Sequence, residues 1–309
     1  MAVTADFREQ VRRMAIEAGA VAAGFARAGA VAEADASRFD AYLSAGGHFS
    51  MRYMENYREI RMNPLLLFTP PAEAGTVISM AFPYFHPGAN PLFALYAQGE
   101  DYHKVIRRRL RPLARYITEH TGGARCRICT DTAPILERYW AVAAGVGFIG
   151  RNHCLIVPGA GSFCFLAEIV TEAQFEPDSP CLLDCGDCGA CMRACPGGAL
   201  EAQCGFDSGK CLSCLTIEHR GAWPDDAPGL PGPAIYGCDL CQQRCPHNAA
   251  PAPGLPEFAP SAAMRSLTPD SLAALDASGY ESLFASSAVT RCPAEQLRRN
   301  AEKLKNNNN

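Results

Sequence analysis

Residues 185–196 read CGDCGACMRACP, and residues 238–246 repeat the end of this pattern as CDLCQQRCP. The first stretch has the spacing C-x2-C-x2-C-x3-C-P, which is the half-unit of a two-cluster bacterial ferredoxin. The two-residue gaps turn the backbone so that three thiolates face one [4Fe–4S] cube, and the fourth cysteine reaches the neighbouring cube. The pair of stretches therefore predicts a ferredoxin-like segment with two [4Fe–4S] clusters in the middle of the chain.

Because the fourth cysteine of each stretch binds the other cluster, the spacing predicts which cysteines hold each cluster. The second stretch is one ligand short, and Cys211 in GKCLSC is the candidate that completes it, with Cys214 as a competitor. One cluster is expected at Cys185, Cys188, Cys191 and Cys245. The other is expected at Cys195, Cys211, Cys238 and Cys241. The alternative is zinc, which uses separated cysteine pairs and does not need the Cys-x3-Cys-Pro ending.

The cysteine content also indicates a compartment. The chain has 309 residues and 16 cysteines, and eleven of these lie between Cys181 and Cys245. Crowding of this kind favours inorganic ligation over a disulfide framework. No apolar run is long enough to span a membrane, and the N-terminus has no signal-peptide pattern. A cytoplasmic protein that functions as a monomer without membrane contact is expected.

One basic stretch stands out against a net charge of −4. Residues 104–115, KVIRRRLRPLAR, contain six basic residues and no acidic one. Two interpretations remain open, a solvated helix face and a surface that binds nucleic acid phosphates. In the second interpretation the contacts are Arg107, Arg108 and Arg111.

The chain divides into three segments by pattern. Residues 1–176 interleave helical and strand-like stretches, which predicts an α/β or α+β domain around a central sheet. Residues 177–252 are rich in Cys, Gly and Pro, so bound metal must help to hold them. Residues 253–309 are predicted as a linker, short helices and a disordered asparagine tail. Outside the cluster motifs, isolated cysteines such as Cys154 and Cys204 are expected to be structural.

Several motifs, in order along nearly the whole chain, resemble blocks of the epoxyqueuosine reductase family. They are HFSMRYM (48–54), GEDYHK (99–104), DTAPILER (131–138), AGVGFIGRN (144–152), GSFCFLAEI (161–169), CLSCLTIEHRG (211–221), IYGCDLCQQRCPHN (235–248), LFASSAVTR (283–291) and LRRN (297–300). The resemblance implies an α+β protein in which a mixed-sheet cobalamin-binding domain with flanking helices is fused to the ferredoxin-like segment and a short helical C-terminus. It also favours Cys211 over Cys214 as a cluster ligand.

The resemblance further implies the reaction and its residues. A base-off cobalamin would lie between the first segment and the cluster segment, and the epoxide of epoxyqueuosine at the tRNA wobble position would be reduced to queuosine. Electrons would come from an outside donor of the flavodoxin or ferredoxin type. The implied cobalamin contacts are Asn56, Asp131, Leu155, Leu166, Ser213 and Asp239.

Asp131 is implied as the general acid that protonates the leaving oxygen. Such an acid must hold its proton near neutral pH, and burial against an apolar cofactor face would raise its pKa. The structural alternative is that Asp131 caps a helix opened by Pro134. Tyr102 and His103 are expected on a partly buried helix face, and Glu137 with Arg138 as an exposed pair.

Two features depart from the family pattern, His247 in place of a common tryptophan and Glu100 in place of a common arginine. The helical-repeat extension that many members carry is also absent from this sequence. Two other functions remain open at this point. One is a cobalamin-dependent reductase of a small molecule, such as a reductive dehalogenase, and the other is a simple electron-transfer ferredoxin.

Overall fold

The computed structural model describes residues 3–201, 205–225, 227–230 and 233–307, with side chains as far as residue 305. Cys204 and residues 308–309 therefore lie outside the described residues. Within them, no helix is long and apolar enough to cross a membrane.

The first segment alternates helices and strands, as its sequence pattern predicts. Its elements are α1 (Ala5–Glu17), β1 (Ala22–Arg27), α2 (Glu33–Ser44), α3 (Arg58–Met62), β2 (Thr76–Pro83), α4 (Tyr102–His120), β3 (Cys126–Cys129), α5 (Glu137–Ala143), β4 (Phe148–Ile149), β5 (Leu155–Ile156) and β6 (Cys164–Thr171). The middle and last segments are helical between loops. Their helices are α6 (Ala190–Ala194), α7 (Leu212–Ile217), α8 (Leu240–Gln243), α9 (Ala262–Ser266), α10 (Pro269–Ala273), α11 (Ala277–Phe284) and α12 (Ala294–Asn307).

The central sheet has the strand order β1-β2-β6-β3, and all three pairings are antiparallel. The α+β class is confirmed, but the prediction of a mixed sheet is wrong. Interleaved helices and strands do not by themselves fix strand direction, and here β1 and β6 run one way while β2 and β3 run the other, so that all neighbours in the sheet are antiparallel. A separate hairpin pairs β4 with β5.

The sheet is buried on both faces. All eight residues of β2 are buried, which explains why TVISMAFP reads as a nearly continuous apolar run. Ile78, Met80 and Phe82 face a core formed with α1 and α4. Val77 and Ala81 face the opposite core, which contains Trp140 of α5. The loops that follow β3 and β6 are therefore anchored in a sheet that is packed on both faces.

A third core joins the middle segment to the C-terminal helices. It combines Leu212, Leu215 and Tyr236 with residues of α9 to α12 such as Phe284. Three polar side chains of α12 hold the end of α7, where backbone carbonyls have no partner within the helix. The amides of Gln296 and Asn300 each donate to the carbonyl of Thr216 at 2.9 Å, and Arg299 donates to that of Leu215 at 2.9 Å. The LRRN motif thus has a structural role.

The last helix extends to Asn307, into the residues that were predicted as a tail. At the other helix predicted in that segment, α10 begins with a capping box between Thr268 and Ser271.

Candidate functional site

The four thiols predicted for the first cluster surround one cavity. Cys185, Cys188, Cys191 and Cys245 line a space of about 60 Å³ beside α6 and the end of α8. Burial, and then the proximity of Cys185 and Cys188, raise the pKa of the Cys245 thiol. Cys191 and Cys245 are 54 positions apart in the sequence, and the fold brings them together because α6 and α8 pack against each other.

The thiols predicted for the second cluster also lie near one another. Burial raises the pKa of Cys238 to about 12, and the neighbouring Cys211 and Cys195 add to the shift. Burial together with Cys238 and Cys211 likewise raises the pKa of Cys241. Cys154 is a neighbour that the sequence did not indicate. Its thiol lies close enough to those of Cys211, Cys241 and Cys245 for their charges to interact.

The arrangement of these thiols fits cubes better than single ions. Among the described residues, no three His, Cys, Asp or Glu side chains converge on a point that one metal ion could occupy. Zinc requires such a point, because its ligands all lie about 2.0–2.3 Å from one atom. A [4Fe–4S] cube does not, because each thiolate binds a different iron.

The loop after β3 holds Asp131 in a left-handed backbone conformation, with φ of 56°. Its carboxylate accepts a hydrogen bond from the Tyr102 hydroxyl at 2.8 Å and lies 3.2 Å from Nε2 of His103. Asp101 caps the N-terminus of α4 and lies 2.7 Å from Nδ1 of the same imidazole. His103 is therefore held between two carboxylates. Tyr102 and His103 are partly buried at the start of α4, as predicted, and their contacts with Asp131 were not foreseen.

This arrangement places the proton on His103. Burial works to lower the pKa of His103, but its hydrogen bonds to Asp101 and Asp131 prevail and raise it to about 9. The side chain of Asp131 is 61% exposed. That partial burial works to raise the pKa of Asp131, but the hydrogen bonds from His103 and Tyr102 outweigh it and lower the pKa. The expectation of a raised Asp131 pKa is wrong for the protein alone, because the sequence did not show these partners.

Asp131 is not a helix cap. The following helix, α5, begins only at Glu137, and no side chain caps it. Instead Glu137 holds the loop, because its carboxylate accepts the backbone N–H of Asp131 at 2.5 Å. The expectation that Glu137 forms an exposed pair with Arg138 is wrong, since burial and then the charge of Asp131 raise its pKa to about 8.

Beneath the loop lies a second carboxyl group, that of Glu168 in the buried strand β6. Glu168 is fully buried, and its Oε1 accepts from the Ser79 hydroxyl at 3.1 Å while its Oε2 has no partner. Burial, and then the nearby Glu137, raise its pKa well above the usual range. Glu168 and Glu137 thus lie close enough under the Asp131 loop for the charge of one to affect the ionisation of the other.

Residues of the cluster segment and the C-terminal helices approach Asp131 closely enough for their charges to interact, and the space that they border together with Asp131 is the cleft. Glu218, just after α7, forms a two-point ion pair with Arg291 at 2.9 and 2.6 Å. The Arg291 guanidinium lies 5.4 Å from the Tyr53 ring centroid. Burial, then the charges of Glu218 and Asp131, raise the pKa of Tyr53 to about 12, which places these groups around one space.

The residues implied as cobalamin contacts lie on several elements of both the sheet segment and the cluster segment. On the sheet side, the Thr130 hydroxyl donates to the carbonyl of Leu166 at 3.2 Å, which fixes the strand β6 next to Asp131. Leu155 is buried in the second core. On the cluster side, Ser213 lies in α7, and buried Asp239 accepts the Leu95 N–H at 2.7 Å. Asn56 is exposed near Tyr53.

The three arginines of the basic stretch have different surroundings. Arg107 donates to the Thr132 hydroxyl at 2.8 Å, beside the Asp131 loop. Arg108 lies 3.6 Å from Glu100 and 3.5 Å from Glu257, so acidic residues from other parts of the chain offset its charge. Arg111 is exposed and has no ion-pair partner among the described residues. It lies one helical turn from Arg107 on the same face.

Sequence reasoning assigned no role to Glu137, Glu168, Glu218, Arg291 or Tyr53. Four of them stand inside motifs that carried the family resemblance (DTAPILER, GSFCFLAEI, CLTIEHRG and SAVTR), and Tyr53 stands in HFSMRYM. A charged or phenolic side chain inside a motif that resembles the family was therefore the signal that could have identified these residues.

Two family models match the chain. Residues 61–132 match the model "Epoxyqueuosine reductase QueG, DUF1730". Residues 184–248 match the model of a 4Fe-4S double cluster binding domain. The second match covers all eight cysteines predicted as ligands, and the chain has a domain of this double-cluster type.

Curated relatives extend the similarity over nearly the full length. An epoxyqueuosine reductase of Cellulophaga algicola is 33% identical over 96% of this chain and 97% of its own length. One of Gloeobacter violaceus is 36% identical over 94% of this chain and 93% of its own.

Solved structures share the fold. A crystal structure of epoxyqueuosine reductase with an epoxyqueuosine-modified tRNA-Tyr stem loop matches with a TM-score of 0.85 and 29% identity, over 96% of this chain and 80% of that one. The Bacillus subtilis enzyme matches with a TM-score of 0.84 and 28% identity over the same shares, in a state with its catalytic aspartate loop swung out of the active site.

Proposed function

Because this chain belongs to the epoxyqueuosine reductase family, we propose that it reduces the epoxide of epoxyqueuosine in tRNA to give queuosine. The observation that carries this proposal is the Asp131 carboxylate held by Tyr102 and His103, in a fold that also gathers Cys185, Cys188, Cys191 and Cys245 around one cavity. The reaction breaks both C–O bonds of the epoxide, forms an alkene and releases the oxygen as water. It therefore consumes two electrons and two protons.

The two cysteine sets would hold the clusters. We assign Cys185, Cys188, Cys191 and Cys245 to one cluster, because their side chains surround one cavity. We assign Cys195, Cys211, Cys238 and Cys241 to the other on the ferredoxin spacing, and the proximity of Cys238 to Cys211 and Cys195 supports this set. When bound, the clusters supply electrons singly from a donor of the flavodoxin or ferredoxin type, and cobalamin collects them at the substrate.

A flat cofactor would lie between the sheet segment and the cluster segment. Asp131 and Leu166 lie at the sheet side, Leu155 lies in the core behind it, and Ser213 and Asp239 belong to the cluster segment. Asn56 lies at the exposed margin near Tyr53. Charged and polar groups at the margins suit the amide side chains of a corrinoid, and the apolar leucines suit its ring.

Asp131 would deliver the proton that the leaving oxygen needs. At neutral pH the Asp131–His103 pair carries one transferable proton, held on His103 because the pKa of this imidazole is about 9. Asp101 fixes the ring so that Nε2 faces Asp131. The proton can pass from Nε2 to the carboxylate as charge develops on the oxygen beside it. Tyr102 keeps the carboxylate oriented through its own hydrogen bond.

The face of α4 next to the site would receive the tRNA backbone. Arg107 and Arg111 present their guanidinium groups along one side of the helix, whereas Arg108 is offset by Glu100 and Glu257. We therefore propose phosphate contacts at Arg107 and Arg111, and a weaker contribution from Arg108.

The test is anaerobic reconstitution, followed by measurement of iron, sulfide and cobalamin and an assay on a stem loop that contains epoxyqueuosine. Wild-type protein is expected to bind both cofactors and convert the substrate. Asp131→Asn should retain both cofactors and lose about 100-fold or more in kcat, as expected for removal of a general acid. Full activity of this variant would remove the acid role, and cluster binding without cobalamin uptake would favour a simple electron-transfer protein.

A further inference from the structure

Asn152 stands in the tight loop between β4 and β5, with a side chain that is 6% exposed. Its Oδ1 accepts the backbone N–H of Cys154 at 3.2 Å. Because an N–H can only face the oxygen of an amide, this bond fixes which end of the side chain is nitrogen. The Nδ2 group therefore points away from the loop backbone.

That nitrogen has no hydrogen-bond partner, although it is buried. Asn152 lines the same cavity of about 60 Å³ as Cys185, Cys188, Cys191 and Cys245. Buried amide donors without an acceptor are rare in folded proteins because they give up their bonds to water. The cavity is where the first cluster is assigned, and the sulfurs of such a cluster accept hydrogen bonds.

We propose that Asn152 donates a hydrogen bond to a sulfur of the cluster held by Cys185, Cys188, Cys191 and Cys245, and so makes that cluster easier to reduce. Reduction adds negative charge to the cluster, and a donor stabilises the more negative state more strongly. The inference rests on the cluster ligands given under the proposed function. It assigns Asn152 no contact with the substrate.

Two variants separate the donor from the packing of the loop. Asn152→Asp keeps the oxygen that accepts the Cys154 N–H and replaces the free NH2 group, while Asn152→Leu removes the donor without adding charge. In a redox titration followed by electron paramagnetic resonance, both should shift one cluster to a more negative potential, Asn152→Asp further than Asn152→Leu. The second cluster serves as the internal reference and should keep its potential.

A third variant assigns the signals. Cys188→Ser should alter only the cluster that the Asn152 variants shift. If it alters neither signal, the proposed ligand set fails. If it alters one signal but both Asn152 variants leave that potential unchanged at full iron content, the Asn152 inference fails alone. Loss of the cluster from both Asn152 variants would also overturn the inference, because Asn152 would then be required for assembly.

A spectroscopic readout is independent of the potential. An exchangeable proton coupled to the first cluster should appear in electron–nuclear double resonance of wild-type protein and disappear in deuterated buffer. It should be absent from Asn152→Leu in ordinary water. The same proton signal in that variant would contradict the assignment of the donor.

Discussion

The imidazole of His103 lies between the carboxylates of Asp101 and Asp131, and this position controls when it loses its proton. Both contacts favour the charged ring, so its pKa of about 9 lies above the ordinary value. Activity that depends on this proton should be constant near neutral pH and fall as the pH rises through about 9.

Asp101→Asn tests this dependence on pH. Loss of one carboxylate removes an interaction that favours the imidazolium, so the pKa of His103 falls and activity should decline at a lower pH than in wild type. The measurement is kcat against pH with saturating tRNA. Asp40→Asn, which alters an exposed pair with Arg58 elsewhere on the protein, is the control and should leave the profile unchanged. An unshifted profile in Asp101→Asn would contradict the relay.

Glu168 should make the protein less stable at higher pH. Its pKa is raised in the folded state, so the folded protein keeps a proton that the unfolded chain has released. The contribution of this group to the free energy of unfolding is greatest at low pH. It is lost as the pH rises toward the pKa in the folded state, by up to about 1.4 kcal/mol per pH unit. Glu168→Gln, compared with wild type in anaerobic urea unfolding at about pH 6 and about pH 8, should show a flatter dependence. Equal slopes would mean that Glu168 ionises freely.

The sequence predicts individual residues well where spacing carries the chemistry and poorly where distant residues meet. Cysteine spacing, with the family resemblance for the choice of Cys211, grouped thiols that lie near one another in the fold. The contact between His103 and Asp131 joins residues 28 positions apart on different elements, and no periodicity reports it. The pKa of Asp131 was misjudged for the same reason, since its hydrogen-bond partners depend on where α4 begins.

Among the elements, α4 joins the candidate acid site to a basic surface. Arg107 and Arg111 share one face, and each phosphate contact that is removed should reduce the steepness with which tRNA affinity falls with salt. Arg107→Gln and Arg111→Gln should each lower the slope of log affinity against log salt by about 0.7–0.9. Binding of a stem loop at several salt concentrations measures this.

Arg115→Gln is the matched control, because Arg115 lies further along the same helix and 3.8 Å from Glu119. It should leave the salt slope close to that of wild type. A salt-independent affinity in wild type, or equal slopes for all three variants, would exclude α4 as the phosphate-binding face.

Local sequence patterns specify some elements, among them β2 with its β-branched apolar run and the long helix α4. They do not specify β1, because AAGFAR contains no β-branched residue and its strand conformation comes from pairing with β2. Sheet direction was also misjudged. It depends on how the chain returns across α2 and α3, which local sequence does not specify.

On the scale of the whole molecule, the described residues form three cores. Two lie on the faces of the sheet, and the third lies between the cluster segment and the C-terminal helices. Residues 181–198, which carry Cys185, Cys188, Cys191 and Cys195, belong to none of these cores, so removal of the clusters should loosen them first. Anaerobic chelation of iron followed by limited proteolysis should produce cleavage between residues 181 and 198 while the sheet domain stays intact. Cleavage at equal rates in the sheet domain would mean that the clusters stabilise the whole chain.

Arg291 completes the cleft from the far end of the polypeptide, through its ion pair with Glu218. A ribosome releases the sheet domain and every cluster cysteine before it reaches this arginine. The cluster cysteines are therefore synthesised before Arg291, which completes this side of the cleft. Because α12 follows Arg291 and secures the end of α7, a chain that terminates before α12 should lose its ability to turn over substrate even though it contains every cluster cysteine.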